Sequence, residues 1–340
     1  MKRRTLLVVV LLIGLLAALT MPAVTAQDEP FRLAIVAPSA TNDLAFTQSM
    51  YEGLLAVQEE MGEENFEFTF LEGTFVVDDA EAAVGAWVTE DYDLIMAHGG
   101  QYSGIIENIA PEFPEQAFAF SSDVPLWDYE NVFYYEGAAQ EGGYVNGYMA
   151  ASLSQTGVMG VVGPIEISDA KLYVDGFKAG AAAYGEENDR EITVNVNYIG
   201  SFSDVALATE AAEAHIDNDA DVLTGTAQIV VGPIGVAKDN GDVLWFGTQA
   251  SHVELAGDVN VMNQLYHWDV ILKMMIENVQ NGVLGGEAYL LTFENEGLTM
   301  EVNPDHFGDD EDALEAFQAK VDELVEGIVS GDIVIFPEEE

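Results

Sequence analysis

The chain has no cysteine. That excludes disulfides, a thiolate nucleophile and the lipobox cysteine through which an exported protein could carry a lipid anchor. Basic residues are scarce: ten Lys and Arg stand against 60 Asp and Glu, a formal net charge of −50, and Lys2, Arg3 and Arg4 are among the ten. Such a surface repels nucleic acid and anionic membranes. It also weakly disfavours an anionic ligand, although screening over about 8 Å leaves a local site free to differ. The acids are scattered rather than clustered at ligand spacing, which fits a solubility or salt adaptation better than cation binding. Catalytic signatures are missing as well. There is no GxSxG, no GxxxxGKS or GxxxxGKT and no HExxH, and His98, His215, His252, His267 and His306 do not pair at metal-ligand spacing. Residues 217–221 start like a calcium loop but lack its glycine and closing glutamate, so they read as a helix-to-strand turn. The expectation is a protein that is not an enzyme and uses neither metal nor cofactor.

Long apolar runs are confined to the start. Met1–Arg4 is basic, Leu6–Leu19 apolar, and Val24-Thr25-Ala26 a small-residue site, which reads as a secretory signal over residues 1–26 cleaved before Gln27. A retained span is disfavoured because the run is short of about 20 residues and meets Pro22. The expected location is therefore periplasmic, extracellular or cell-surface.

What is present is an internal echo. Tyr51–Asn65 aligns without a gap on Val174–Asn188, an offset of 123 residues. Phe66, Phe68 and Phe70 before Gly73-Thr74-Phe75 answer Val194, Val196 and Tyr198 before Gly200-Ser201-Phe202, and Asp91–Gly100 answers Asp219–Gln228. Apolar runs of strand length alternate with stripes at helical spacing such as Phe46, Met50, Leu54, Val57 and Met61. This implies two α/β lobes, each a parallel sheet with helices on both faces. The expected boundaries are 31–133 plus 267–290 for the first lobe and 134–266 plus about 291–300 for the second. A helix and strand over 304–336 pack on the lobes, and 337–340 is a tail.

In such sheets ligands bind beyond the carboxyl ends of the strands. Those ends carry Gly, Ser, Thr, Gln and aromatic residues, which suit a small polar ligand with a flat ring. Candidate ligand-binding residues there are Asn42, Asp43, Phe46, Gln101, Tyr102, Ser122, Asp123, Phe202, Gln228 and Gln249, and Tyr173 is a further candidate. Phe46 also reads as a core residue in phase with Met50, and Asn42 or Asp43 as a helix cap.

Asn42–Gly53, NDLAFTQSMYEG, resembles the D-D-x-S-F-N-Q-x-x-x-E-G signature of the basic membrane protein family of ABC-transporter substrate-binding proteins. QEGGYVNGYMAA at Gln140–Ala151, DGFKAG at Asp175–Gly180 and YIGSFSD at Tyr198–Asp204 are similar to further family motifs. The resemblance implies a type I periplasmic-binding-protein fold, two doubly wound lobes joined by a multi-crossover hinge, and a monomer that delivers its ligand to ABC permease subunits. In the family's nucleoside receptors a base stacks on the Phe of the first motif, here Phe46, and Asn42 and Asp43 bond its edge. The family's carboxylates fall at Ser122 and within Gly247–Ser251, and its lysine at Tyr266, so the implied wall is neutral, amide-lined and aromatic. The leading expectation is a receptor for a neutral ring-bearing solute, a purine nucleoside first. A sensory receptor of the same fold is the alternative, and a secreted hydrolase ranks last.

Overall fold

The computed structural model describes residues 29–337 apart from Asp123, so the expected signal lies outside the described residues. β1 (Phe31–Val36) is an almost continuous buried apolar run, as a parallel strand covered on both faces requires. α1 (Phe46–Met61) begins where the Asp43 carboxylate accepts hydrogen bonds from the amides of Ala45 (2.9 Å) and Gln48 (3.1 Å). β2 (Phe66–Leu71), α2 (Val77–Trp87), β3 (Leu94–Ala97), α3 (Ser103–Ile109), β4 (Ala117–Ser121) and β5 (Val132–Gly137) continue the alternation. It repeats through α4 (Ala139–Leu153), β6 (Val158–Gly163), α5 (Ser168–Glu187), β7 (Thr193–Tyr198), α6 (Val205–Asp217), β8 (Val222–Gly225), α7 (Val231–Asn240), β9 (Leu244–Gly247), α8 (Ser251–Ala256) and β10 (Asn260–Tyr266). α9 (Trp268–Gln280), β11 (Ala288–Leu291), β12 (Leu298–Val302), α10 (Pro304–Phe307) and α11 (Glu311–Ser330) follow.

The strands form two six-stranded sheets, ordered β11-β5-β4-β3-β1-β2 and β12-β10-β9-β8-β6-β7. Superposing β1 on β6 makes the two orders identical, so the sequence echo is also an echo of topology. The copies differ at one edge, where β11 runs parallel to β5 but β12 runs antiparallel to β10. The chain leaves the first sheet after β5, builds the second, and returns with α9 packed on α1 before adding β11 to the first and β12 to the second. β11 and β12 have no counterpart in the sequence reading, because four or five alternating residues between glycines carry too little pattern to stand out. The boundary expected at 133/134 falls inside β5, which pairs along its length in the first sheet. The strand expected after α11 is not formed, and residues 331–336 are turn and bend.

Close backbone contact fixes how the helices cross. A Cβ at Gly147 would sit 1.9 Å from the Phe177 carbonyl oxygen, and one at Gly180 would sit 1.9 Å from that of Tyr144. Gly143 and Gly176 meet the facing backbone in the same way, so α4 and α5 touch through four glycines. Across the first lobe, Gly53 on α1 lies against Trp268 of α9, where a Cβ would be 2.8 Å from the Trp268 Cβ. Gly53 and Gly176 are equivalent positions of the echo, so each lobe seats the helix that follows a crossing against a glycine. Among the described residues no helix is long and apolar enough to cross a membrane.

Candidate functional site

The carboxyl ends of both sheets open on one cavity of about 380 Å³, within the size range of small-molecule sites. The first lobe supplies Phe46, Phe75, Gln101, Ser121 and Glu136, and the second supplies Asp169, Phe202, Thr226, Gln228, Thr248, Gln249 and Tyr266. Their positions follow from topology, since loops after β1, β3 and β4 meet loops after β6, β8 and β9 at equivalent heights.

The aromatic wall is braced from behind. Phe46 stacks on His98 at 3.8 Å with planes 7° apart, and His98 is stacked in turn on Tyr135 at 6.0 Å. Trp268 meets Phe46 edge-on at 5.8 Å and stacks on Tyr266 at 5.6 Å. Burial drives the His98 pKa down to about 3, so the ring is neutral. Its Nε2 lies 3.3 Å from the Phe46 carbonyl oxygen, an acceptor, so Nε2 carries the hydrogen and Nδ1 accepts from the Tyr135 hydroxyl at 3.0 Å. The Phe46 ring is thereby clamped while it lines the cavity.

Thr226, Ala227 and Gln228 form the opposite wall. Thr226 Oγ1 and Gln228 Oε1 are buried without a hydrogen-bond partner among the described residues, and Ala227 between them has φ +65° and ψ −178°. That backbone region belongs almost to glycine alone, at a cost of about 1–3 kcal/mol for other residues. A strained alanine flanked by orphaned polar atoms thus faces the clamped Phe46 ring across the cavity.

Two carboxyls enter the cavity, which corrects the expectation of a neutral wall. Glu136 is 2% exposed and accepts hydrogen bonds from Ser121 Oγ (3.2 Å) and the Gly137 amide (3.1 Å). Asp169 accepts from the Ala170 amide at 2.8 Å, yet burial within the cavity walls pushes its pKa up to about 6. The charges of Asp169 and Glu136, after burial itself, hold the Tyr266 hydroxyl well above its usual range, so it stays protonated.

Of the residues singled out from sequence, Phe46, Gln101, Phe202, Gln228, Gln249 and Tyr266 converge on the cavity. The others fall elsewhere. Tyr102 is buried with its hydroxyl donating to the Thr74 carbonyl at 2.9 Å, and Tyr173 is buried with its hydroxyl 2.7 Å from Thr224 Oγ1. Asp43 caps α1, Asn42 is exposed outside the lining, and Ser122 Oγ donates to the Val124 carbonyl at 2.7 Å. Asp123 lies outside the described residues. Sequence reasoning missed Glu136, Asp169 and Thr226. Thr226 alone had a visible signal, lying two residues from Gln228 in the Gly-Thr-Ala-Gln stretch that answers Ala97–Gly100.

Two doubly wound lobes whose strand ends enclose a polar and aromatic cavity define a solute-binding protein of the type I periplasmic fold. The model of the family described as ABC transporter substrate-binding protein, PnrA-like, matches residues 31–331, and the chain belongs to that family. A solved ABC transporter system solute-binding protein from Conexibacter woesei is similar at 26% identity and TM-score 0.71, over 90% of this chain and 98% of that one. A purine-binding protein of Brucella abortus is 24% identical over 71% of this chain and 66% of its own length. The transcriptional activator protein med of Bacillus subtilis is 23% identical over 76% of this chain and 78% of its own. The alignments span 60 to 66% of the length of the first curated relatives.

Proposed function

We propose that the protein is an extracytoplasmic solute-binding receptor of an ABC importer, holding a ring-bearing small molecule in the interlobe cavity, with a purine nucleoside as first candidate. The observation that carries this reading is the pairing of a clamped aromatic face, Phe46, with the orphaned Thr226 and Gln228 across the cavity. A flat ring stacked on Phe46 gains about 1–3 kcal/mol, and its polar edge satisfies atoms that otherwise cost about 1–3 kcal/mol each. Phe202 offers a second aromatic surface from the other lobe. Family membership and a relative named as purine-binding support the choice of ring. Delivery to membrane permease subunits, an exported location and a monomeric state belong to the same proposal.

Thermal shift with a panel of nucleosides, bases and sugars tests it. Ligand at about 100 times its dissociation constant adds about 2.7 kcal/mol of stability. No shift with any nucleoside or purine base would overturn the choice of ligand. A second reading, a sensory receptor of the same fold, draws on the relative named as a transcriptional activator. Pull-down with a permease or with a regulatory partner separates the two.

A further inference from the structure

The cavity lining contains no Lys, Arg or His among the described residues, yet holds carboxyls from opposite lobes, Glu136 at the end of β5 and Asp169 in the first turn of α5. We propose that Glu136 and Asp169 form an anchoring pair that takes hydrogen-bond donors from the ligand, either hydroxyls or a protonated amine, and refuses an anionic group. This rests on the reading of the cavity as the ligand site. An independent feature of the same cavity points the same way. Gln228 Oε1, an acceptor, is buried and unpartnered, and beside it Thr226, 6% exposed, is unpartnered at Oγ1, a hydroxyl that can accept as well as donate, so donors on the ligand have further acceptors to meet in the same cavity.

The groups around the pair supply no positive charge to it. Tyr266 feels both carboxyls and Tyr173, Tyr135 feels Glu136, and all three phenols are held protonated, so none supplies positive charge. Lys171, two residues from Asp169, is engaged by Asp175. Burial raises the Asp169 pKa to about 6, outweighing the amides of Ala170 and of Asp169 itself and the helix dipole, which favour the carboxylate. Below that pH Asp169 holds a proton, and above it the carboxylate is free to accept the ligand's donors. Because the carboxyls come from different lobes, a donor shared between them also ties lobe closure to occupancy. Tyr266 feels both carboxyls but stays a neutral phenol, so no cation among the described lining residues competes with the ligand for this pair.

Titration calorimetry on the full chain at pH 5, 6 and 7.5 tests the proposal, with guanosine, its 2′,3′-dideoxy and 5′-monophosphate forms, and a ring-bearing primary amine as probes. For guanosine or the amine, whichever binds, the expected gain is about tenfold from pH 5 to 7.5, following one decade per unit below the Asp169 pKa. Asp169→Asn and Glu136→Gln should flatten that profile and weaken binding by tenfold or more, and the monophosphate should not bind. Loss of affinity in the dideoxy form assigns the donors to hydroxyls, and preference for the amine assigns them to nitrogen. A flat pH profile, tight monophosphate binding, or full affinity in both carboxamide variants overturns the pair. If Phe46→Ala still abolishes binding in that case, the cavity reading stands alone. Absence of binding by every probe overturns both.

Discussion

Gly180→Ala adds one methyl group to the buried face of α5, and the geometry sets its cost. The new Cβ would lie 1.9 Å from the Tyr144 carbonyl oxygen and 2.9 Å from the Tyr148 amide nitrogen, both backbone atoms of α4 that cannot rotate away. An ordinary carbon–oxygen contact is about 3.3 Å, so the helices must part by roughly 1.4 Å. A gap of that size forfeits a quarter to a half of the dispersion energy of the atoms lining it, here the buried Tyr173, Phe177 and Ala181 packed at the crossing. Overpacking of this kind costs about 1–3 kcal/mol directly, and the helix propensity of alanine returns about 1. The expected net loss is up to about 2 kcal/mol, read as a lower urea midpoint at unchanged slope. Gly85→Ala is the matched control, because Gly85 lies in α2 with nothing within 4 Å of the added methyl. It should gain about 0.5–1 kcal/mol. If both variants shift the midpoint in the same direction, the close-approach account of α4 and α5 is refuted.

Acid should weaken the fold through its buried imidazoles. Burial holds His98 at about 3 and His252 at about 4, below the unfolded value of 6.5, so their neutral forms stabilise fully above pH 6.5 and progressively less as pH falls toward those values. Asp169, raised to about 6, acts in the opposite sense between pH 4 and 6. The two histidines together outweigh it, so stability measured by denaturant at pH 4.5 should be about 2 kcal/mol or more below that at pH 7, and Asp169→Asn should stabilise the unliganded protein at pH 7 but not at pH 4. Ring binding at Phe46 should change the fluorescence of Trp268, which meets both Phe46 and Tyr266. Trp268→Phe should remove that signal while leaving calorimetric affinity within a few-fold, and a persistent signal would place the ring elsewhere. Tyr173→Phe should cost about 1 kcal/mol for its lost hydrogen bonds with Asn146 and Thr224 and leave ligand affinity unchanged, whereas a loss of affinity would bring Tyr173 back into the site.

The lobes and their strand ends were legible because each half repeats its punctuation, so Phe46, Gln101, Phe202, Gln228 and Gln249 could be picked out from residue type and position alone. Glu136 was not, because nothing in the local pattern marks a carboxyl after an apolar run as facing a cavity. β5 runs to Gly137, where pairing with β11 extends it and turns Glu136 toward the cavity. Asp169 sits in the first turn of a helix, where an acidic residue has an ordinary electrostatic explanation that conceals a second role. Tyr102 and Tyr173 were drawn the other way. Tyr102 stands shortly after a strand end and Tyr173 within a helix, but each hydroxyl finds Thr74 or Thr224 and the ring is buried. Edge strands β11 and β12 depend on partners far along the chain, which local pattern does not record.

The late arrival of those edge strands governs the order in which the molecule can be made. A ribosome will have delivered every other strand of the first sheet by Gly137, yet that sheet stays one strand short until Ala288–Leu291 emerges, and its α1 surface stays bare until α9 does. The second sheet waits longer still, for Leu298–Val302. Both halves thus close within a few residues of each other, so the nascent polypeptide has neither sheet complete, and stays open to chaperones, until Leu291 has emerged.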